Sequence, residues 1–158
     1  ALDASGLLTG TLKGLRFFEI DSTYSKSDMA KEIRKYIKEN SLLNHGTWAY
    51  YGDATKKSER YLFWTSFDLN KDKSLANKDI PVIISTADGK YYVSSSKATQ
   101  RNYNGETYIT IVDKKGNSSQ YKPYIEKGTK YDSLEDAYKA YADVVENEYP
   151  SYKDTLPQ

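Results

Sequence analysis

Asp68, Asn70, Asp72, Ser74 and Asp79 hold the most readily named chemistry in this chain. Counted from Asp68, they stand at positions 1, 3, 5, 7 and 12 of a calcium-loop spacing, with apolar Leu75 at position 8. A hard cation needs that alternation because a tight loop turns every second oxygen towards one centre, position 7 supplying its backbone carbonyl. Two features oppose it. Lys73 occupies the position where glycine makes the sharp turn, and Lys71, Lys73 and Lys78 offset the three aspartates. Asp, Asn and Ser also favour ordinary solvated loops. The expectation is a plain polar connection, with a weakly held calcium ion as the alternative and no other cofactor.

Much other chemistry is excluded by what the chain lacks. With no cysteine there is no disulfide, thiolate metal site or Cys nucleophile. One histidine, His45, excludes a three-His zinc site. Its expected place is the end of a helix, where the negative dipole end favours an imidazolium. Gly6, Gly10 and Gly14 do not have dinucleotide-site spacing, and neither a Walker motif nor a nucleophile elbow is present. Carboxylates are plentiful, but nothing singles out a catalytic pair, so no catalytic residue is named.

Aromatic residues are the remaining chemistry. Tyrosine occurs 16 times in 158 residues, often beside Trp or Phe in strand-like runs. Along Trp48-Ala-Tyr-Tyr51, alternation puts Trp48 and Tyr50 on one face. Along Arg60–Phe67 it sets Tyr61 and Phe63 opposite Trp64. Tyr and Trp combine an apolar body with a polar tip and suit protein contacts or sugar stacking. Trp48, Tyr50, Tyr61, Phe63 and Trp64 are therefore the candidate ligand-binding set. Their competing use is simply to fill a half-buried sheet.

The elements that must position these groups are legible from period and punctuation. Residues 1–23 are expected to be an irregular or extended segment with a short strand near Leu15–Ile20, because three glycines oppose a helix. Ser25 and Asp28 form a capping box for a helix over 26–43 that stops at Gly46. Strand-like runs then flank turns at Asp88-Gly89, Asn104-Gly105 and Lys115-Gly116-Asn117, the last leading into an edge strand, Gln120–Ile125, that contains Pro123. Ser133 and Asp136 cap a final helix with apolar residues at Leu134, Ala137, Tyr138, Tyr141, Val144 and Val145, ended by Pro150. The expected fold is α+β: an antiparallel meander of about six strands with an N-terminal and a C-terminal helix packed on one face. Residues 1–150 form a single domain and 151–158 a tail.

Acidic and basic residues are interleaved, and 23 Lys+Arg against 22 Asp+Glu leave a formal charge of +1, so nucleic acid is not an expected partner. No apolar run approaches the roughly 20 residues that cross a bilayer. The absence of cysteine, the abundance of Lys, Tyr, Asn and Ser, and patterns such as Asp88-Gly-Lys-Tyr-Tyr-Val93 resemble secreted or wall-associated proteins of Gram-positive bacteria, lactobacilli in particular. The terminal Asp79 of the polar loop similarly resembles dockerin-type loops. The first resemblance implies an extracellular or cell-surface location, and the start at Ala1 suits a mature exported chain or a trimmed one. The expected function is a non-catalytic binding domain recognising a protein or a cell-wall or carbohydrate ligand through an aromatic sheet surface. The alternatives are a hydrolase with a dispersed carboxylate site and an inhibitor of a partner protein.

Overall fold

Alternating apolar residues and the turn at Gly89 build the sheet seen in the computed structural model, which describes residues 7–11, 46–52, 60–69, 71, 73–103, 105–111 and 122–156. Strands β1 (Leu7–Thr11), β2 (Thr47–Gly52), β3 (Arg60–Thr65), β4 (Asp79–Thr86) and β5 (Tyr91–Lys97) pair in chain order, each antiparallel to the next. A short strand, β8 (Thr129–Tyr131), closes the far edge against β5, giving six strands. β6 (Thr99–Tyr103) and β7 (Glu106–Thr110) form a separate hairpin. Two helices, α1 (Lys122–Glu126) and α2 (Leu134–Glu148), and 3-10 turns at Lys73–Leu75 and Pro150–Thr155 complete the described elements. The class is α+β, an antiparallel sheet with a C-terminal helix, as the sequence predicts.

Register decides which residues share a face. Trp48, Trp64, Ile83 and Val93 stand side by side across four strands, and so do Ala49, Phe63, Ile84 and Tyr92 on the opposite face. α2 covers the first face, its Tyr141 ring lying 5.2 Å from Trp64. The second face is covered by α1, where Tyr124 meets Phe63 edge-on at 5.6 Å, and by the chain leaving β7, where Ser96 Oγ donates to the Ile111 carbonyl. Pro81 is tolerated within β4 because β3 pairs only with Ile83–Thr86, leaving Pro81 without a ladder on that side.

α2 forms where its cap and stripe predict. Ser133 Oγ accepts the Asp136 N–H at 3.1 Å, and Glu135 and Asp136 oppose the positive end of the helix dipole. Leu134, Ala137, Tyr141 and Val145 are buried, one per turn of helix, and each large apolar side chain so buried contributes ~1.5–3 kcal/mol. Ser133→Ala is expected to lower stability by ~1 kcal/mol, read as a lower urea midpoint at unchanged slope.

Pro150 ends α2, yet the residues described beyond it, as far as Leu156, do not form a tail. Residues 150–155 form a strap on which Tyr152 stacks against Phe67 at 4.4 Å while Tyr149 meets the same ring at 5.7 Å. A directed row of hydroxyls fastens this strap. Thr155 Oγ donates to the Tyr152 carbonyl (2.6 Å), so its oxygen accepts from Ser66 Oγ (2.8 Å). With its hydrogen used, Ser66 Oγ accepts from the Tyr141 hydroxyl (2.8 Å). The Tyr141 oxygen in turn accepts from the Ser66 N–H (2.8 Å) and the Thr65 hydroxyl (3.2 Å). Every proton in the row has one direction, which lets neighbouring bonds polarise one another.

Two further expectations change. Within the edge strand expected over Gln120–Ile125 the described residues are helical instead: Lys122–Glu126 forms a helix with Pro123 in its first turn, where its missing N–H costs nothing. The meander runs through β1–β5 only, because β6 and β7 leave the sheet and β8 takes the last edge. The expected helix over 26–43, the strand at Leu15–Ile20, the turn at Lys115-Gly116-Asn117 and His45 lie outside the described residues.

Candidate functional site

Four of the five aromatic residues named from the sequence are core residues. Trp48 is fully buried, Phe63 and Trp64 are 1% exposed and Tyr61 is 9% exposed. Alternation assigned their faces correctly, but both faces are covered, so these rings present no open platform. The fifth, Tyr50, pairs through its backbone with Leu62 and Leu8, and its side chain lies outside the described residues.

The polar loop is described in part. Asp68 is half-buried, while Ser74 and Asp79 are exposed; Asn70 and Asp72 lie outside the described residues. Leu69 and Leu75 are buried, Leu75 at the end of a 3-10 turn over Lys73–Leu75. Asn77 follows at φ 66°, a left-handed conformation that asparagine tolerates, and its N–H donates to the Ala98 carbonyl at 2.7 Å. The carbonyl of Asp79, the first residue of β4, accepts the Tyr149 hydroxyl at 3.1 Å. Among the described residues no three His, Asp or Glu side chains are grouped as metal ligands.

The exposed aromatic surface lies elsewhere, at the rim where β5 meets β8. Tyr91 and Tyr131 are direct partners on the α2 side of the sheet, and Tyr92 and Lys130 are direct partners on the α1 side. Tyr91, Tyr92, Tyr131 and Tyr124 of α1 are all half-buried, each with one part against the core and the rest facing out. Ser94 Oγ donates to the Tyr124 carbonyl at 2.6 Å and so fixes α1 beside Tyr92. Lys127 Nζ lies 5.0 Å from the centre of the Tyr124 ring, within cation–π range. Gly128 lets the turn between α1 and β8 sit on β5: an added Cβ would come within 3.0 Å of the Val93 carbonyl oxygen and 3.1 Å of Ser94 Cβ. The sequence holds a signal for this rim, since Tyr91-Tyr92 puts one ring on each face by alternation.

Electrostatics at the rim are those of paired surface charges. Lys90 Nζ lies 2.9 Å from Asp132 Oδ1, which raises the lysine's pKa and lowers the aspartate's. Asp88 is also held below the usual carboxylate range, first by the hydrogen bond from the Thr86 hydroxyl and then by the Lys90 N–H. A general acid needs the opposite shift, so neither carboxyl is suited to that role. Burial, together with the nearby Glu146, raises the Tyr138 phenol. No family model matches this chain, and no curated protein or solved structure matches it either.

Proposed function

We propose that this chain is a non-catalytic binding domain that recognises a protein or a cell-wall or carbohydrate ligand outside the cell, using the tyrosine rim of β5, β8 and α1. The observation that carries this reading is the convergence of Tyr91, Tyr92, Tyr124 and Tyr131, each half-buried, on one edge of the sheet. A half-buried tyrosine is already ordered by the core, so meeting a ligand costs it little further side-chain entropy. The extracellular setting rests on the compositional resemblance to secreted or wall-associated proteins of Gram-positive bacteria, with Lys, Tyr, Asn and Ser abundant.

The test is retention of the immobilised chain by cell-wall fractions, glycans and extracellular matrix proteins, compared with a Tyr92→Ala/Tyr131→Ala variant. Loss of at least about tenfold in affinity is expected from removing two aromatic anchors, with circular dichroism and melting near wild type. Equal retention of the two proteins on every ligand would refute the use of this rim.

A further inference from the structure

We propose that Asp88-Gly89 is a site of spontaneous succinimide formation, held shut in the folded chain by the Thr86 hydroxyl. The reaction's nucleophile is the Gly89 backbone nitrogen, and its electrophile is the adjoining Asp88 side-chain carboxyl. In the cyclisation the nitrogen bonds to Cγ, the Cγ–OH bond breaks, and the amide proton leaves with the hydroxyl as water. A second water then opens the ring. Opening at Cγ restores aspartate, whereas opening at the backbone carbonyl runs the chain through Cγ and lengthens it by one atom. Glycine permits the attack, because nothing lies within 4 Å of where its Cβ would stand and no side chain shields its nitrogen. Both residues are exposed, so water reaches the ring. Besides the chain itself, only water takes part.

The hairpin keeps both partners in their unreactive forms. An ionised carboxylate is a poor electrophile, because only the protonated carboxyl has a hydroxyl to lose. Asp88 Oδ1 accepts from the Thr86 hydroxyl and from the Lys90 N–H (3.3 Å), and these bonds favour the charged form. Lys130 of β8 adds a weaker pull in the same direction. The nitrogen is engaged as well: the Gly89 N–H donates to the Thr86 carbonyl at 3.2 Å, which keeps its proton in place. Gly89 stands at φ 80°, the left-handed residue of a hairpin loop closed by the Thr86 N–H on the Lys90 carbonyl (3.0 Å). Thr86 thus meets the loop with its N–H, its carbonyl and its hydroxyl, and substitution removes only the last. Ring formation must swing the Asp88 carboxyl off Thr86 and free the Gly89 N–H together. An isoaspartate here would insert an atom between Thr86 and Lys90, whose Nζ is held by Asp132 and which leads into Tyr91. The tyrosine rim would then lose the turn that closes it.

The test incubates the full chain at mildly acidic pH, folded and in urea, and follows isoaspartate at Asp88 by peptide mapping with mass spectrometry. The unfolded chain should form it at least about tenfold faster than folded wild type, the factor set by a hydrogen bond to a charged group. Thr86→Val keeps the branched shape that suits a strand but removes the hydroxyl, and should recover most of that factor while still folded. Thr86→Ser keeps the hydroxyl and should stay as slow as wild type. Ser133→Ala, weakened at the far cap of α2, should also isomerise at the wild-type rate, which separates the latch from general stability. The proposal is overturned by no isoaspartate in the unfolded chain, by equal rates in folded and unfolded wild type, or by a Thr86→Val rate no faster than that of Ser133→Ala.

Discussion

Gly46→Ala is expected to lower the unfolding free energy by at least ~3 kcal/mol, and so the melting temperature by about 6–12 °C for a chain of this size. Gly46 sits at φ 103°, which strains any residue with a side chain, and its Cβ would lie 2.1 Å from the Thr65 carbonyl oxygen. That oxygen is backbone in β3, directly across from Thr47, so neither side of the contact can yield without moving a strand. Thr47 is itself fixed, its hydroxyl donating to the Phe67 carbonyl (2.9 Å) and accepting the Leu69 N–H (3.1 Å). Gly89→Ala is the matched control. It shares the positive φ, at 80°, but nothing lies within 4 Å of its added Cβ, so it should lose only the ~1–2 kcal/mol of the left-handed conformation. Thermal scans of both variants separate conformational strain from the clash. Equal losses in the two would show that the approach to Thr65 carries no cost.

The second large effect is an alkaline loss of stability centred on Tyr141. Burial pushes its phenol up to about 12, against the opposing pull of its bonds to Ser66 and Thr65. In the unfolded chain the same phenol ionises near 10. Between these values the unfolded chain gives up a proton that the folded chain keeps, so stability is intact below pH 10 and falls as pH rises towards 12, by ~3 kcal/mol in all. Tyr149 and Tyr138, also raised by burial, act in the same direction. Tyr141→Phe should flatten this fall. At neutral pH the same change should cost ~1–3 kcal/mol, because the buried Ser66 N–H loses its acceptor. Urea unfolding at pH 8 and pH 11 measures both. A variant that loses as much stability as wild type between those pH values would show that another group drives the alkaline transition.

What could be read from the sequence was local. Asp88-Gly89 and Ser133 with Asp136 state their own geometry within four residues, and the structure places a turn and a helix cap there. α1 is ambiguous because Tyr124 and Ile125 prefer strands, while Pro123 suits either an edge strand or a first helical turn. Its seat is decided by the bond from Ser94, far away in the chain. The same division separates the two aromatic sets. Alternation gives the faces of Trp48, Phe63 and Trp64, but what covers them comes from Tyr124, Ile111 and Tyr141, which no local pattern connects to β2 or β3. Tyr92 and Lys130 become neighbours only because β8 returns to β5.

The hydroxyl row also bears on the order of events as the chain is made. Ser66 and Thr155, which it joins, are 89 residues apart, whereas β2, β3 and β4 each pair with the strand next in sequence. The hairpins can therefore form while the remainder is still being synthesised, but Phe67 stays uncovered until Tyr149 and Tyr152 arrive. A ribosome stalled before residue 149 would hold a sheet with an open apolar end, a state that protease and chaperone probes can detect and that vanishes once the strap is released.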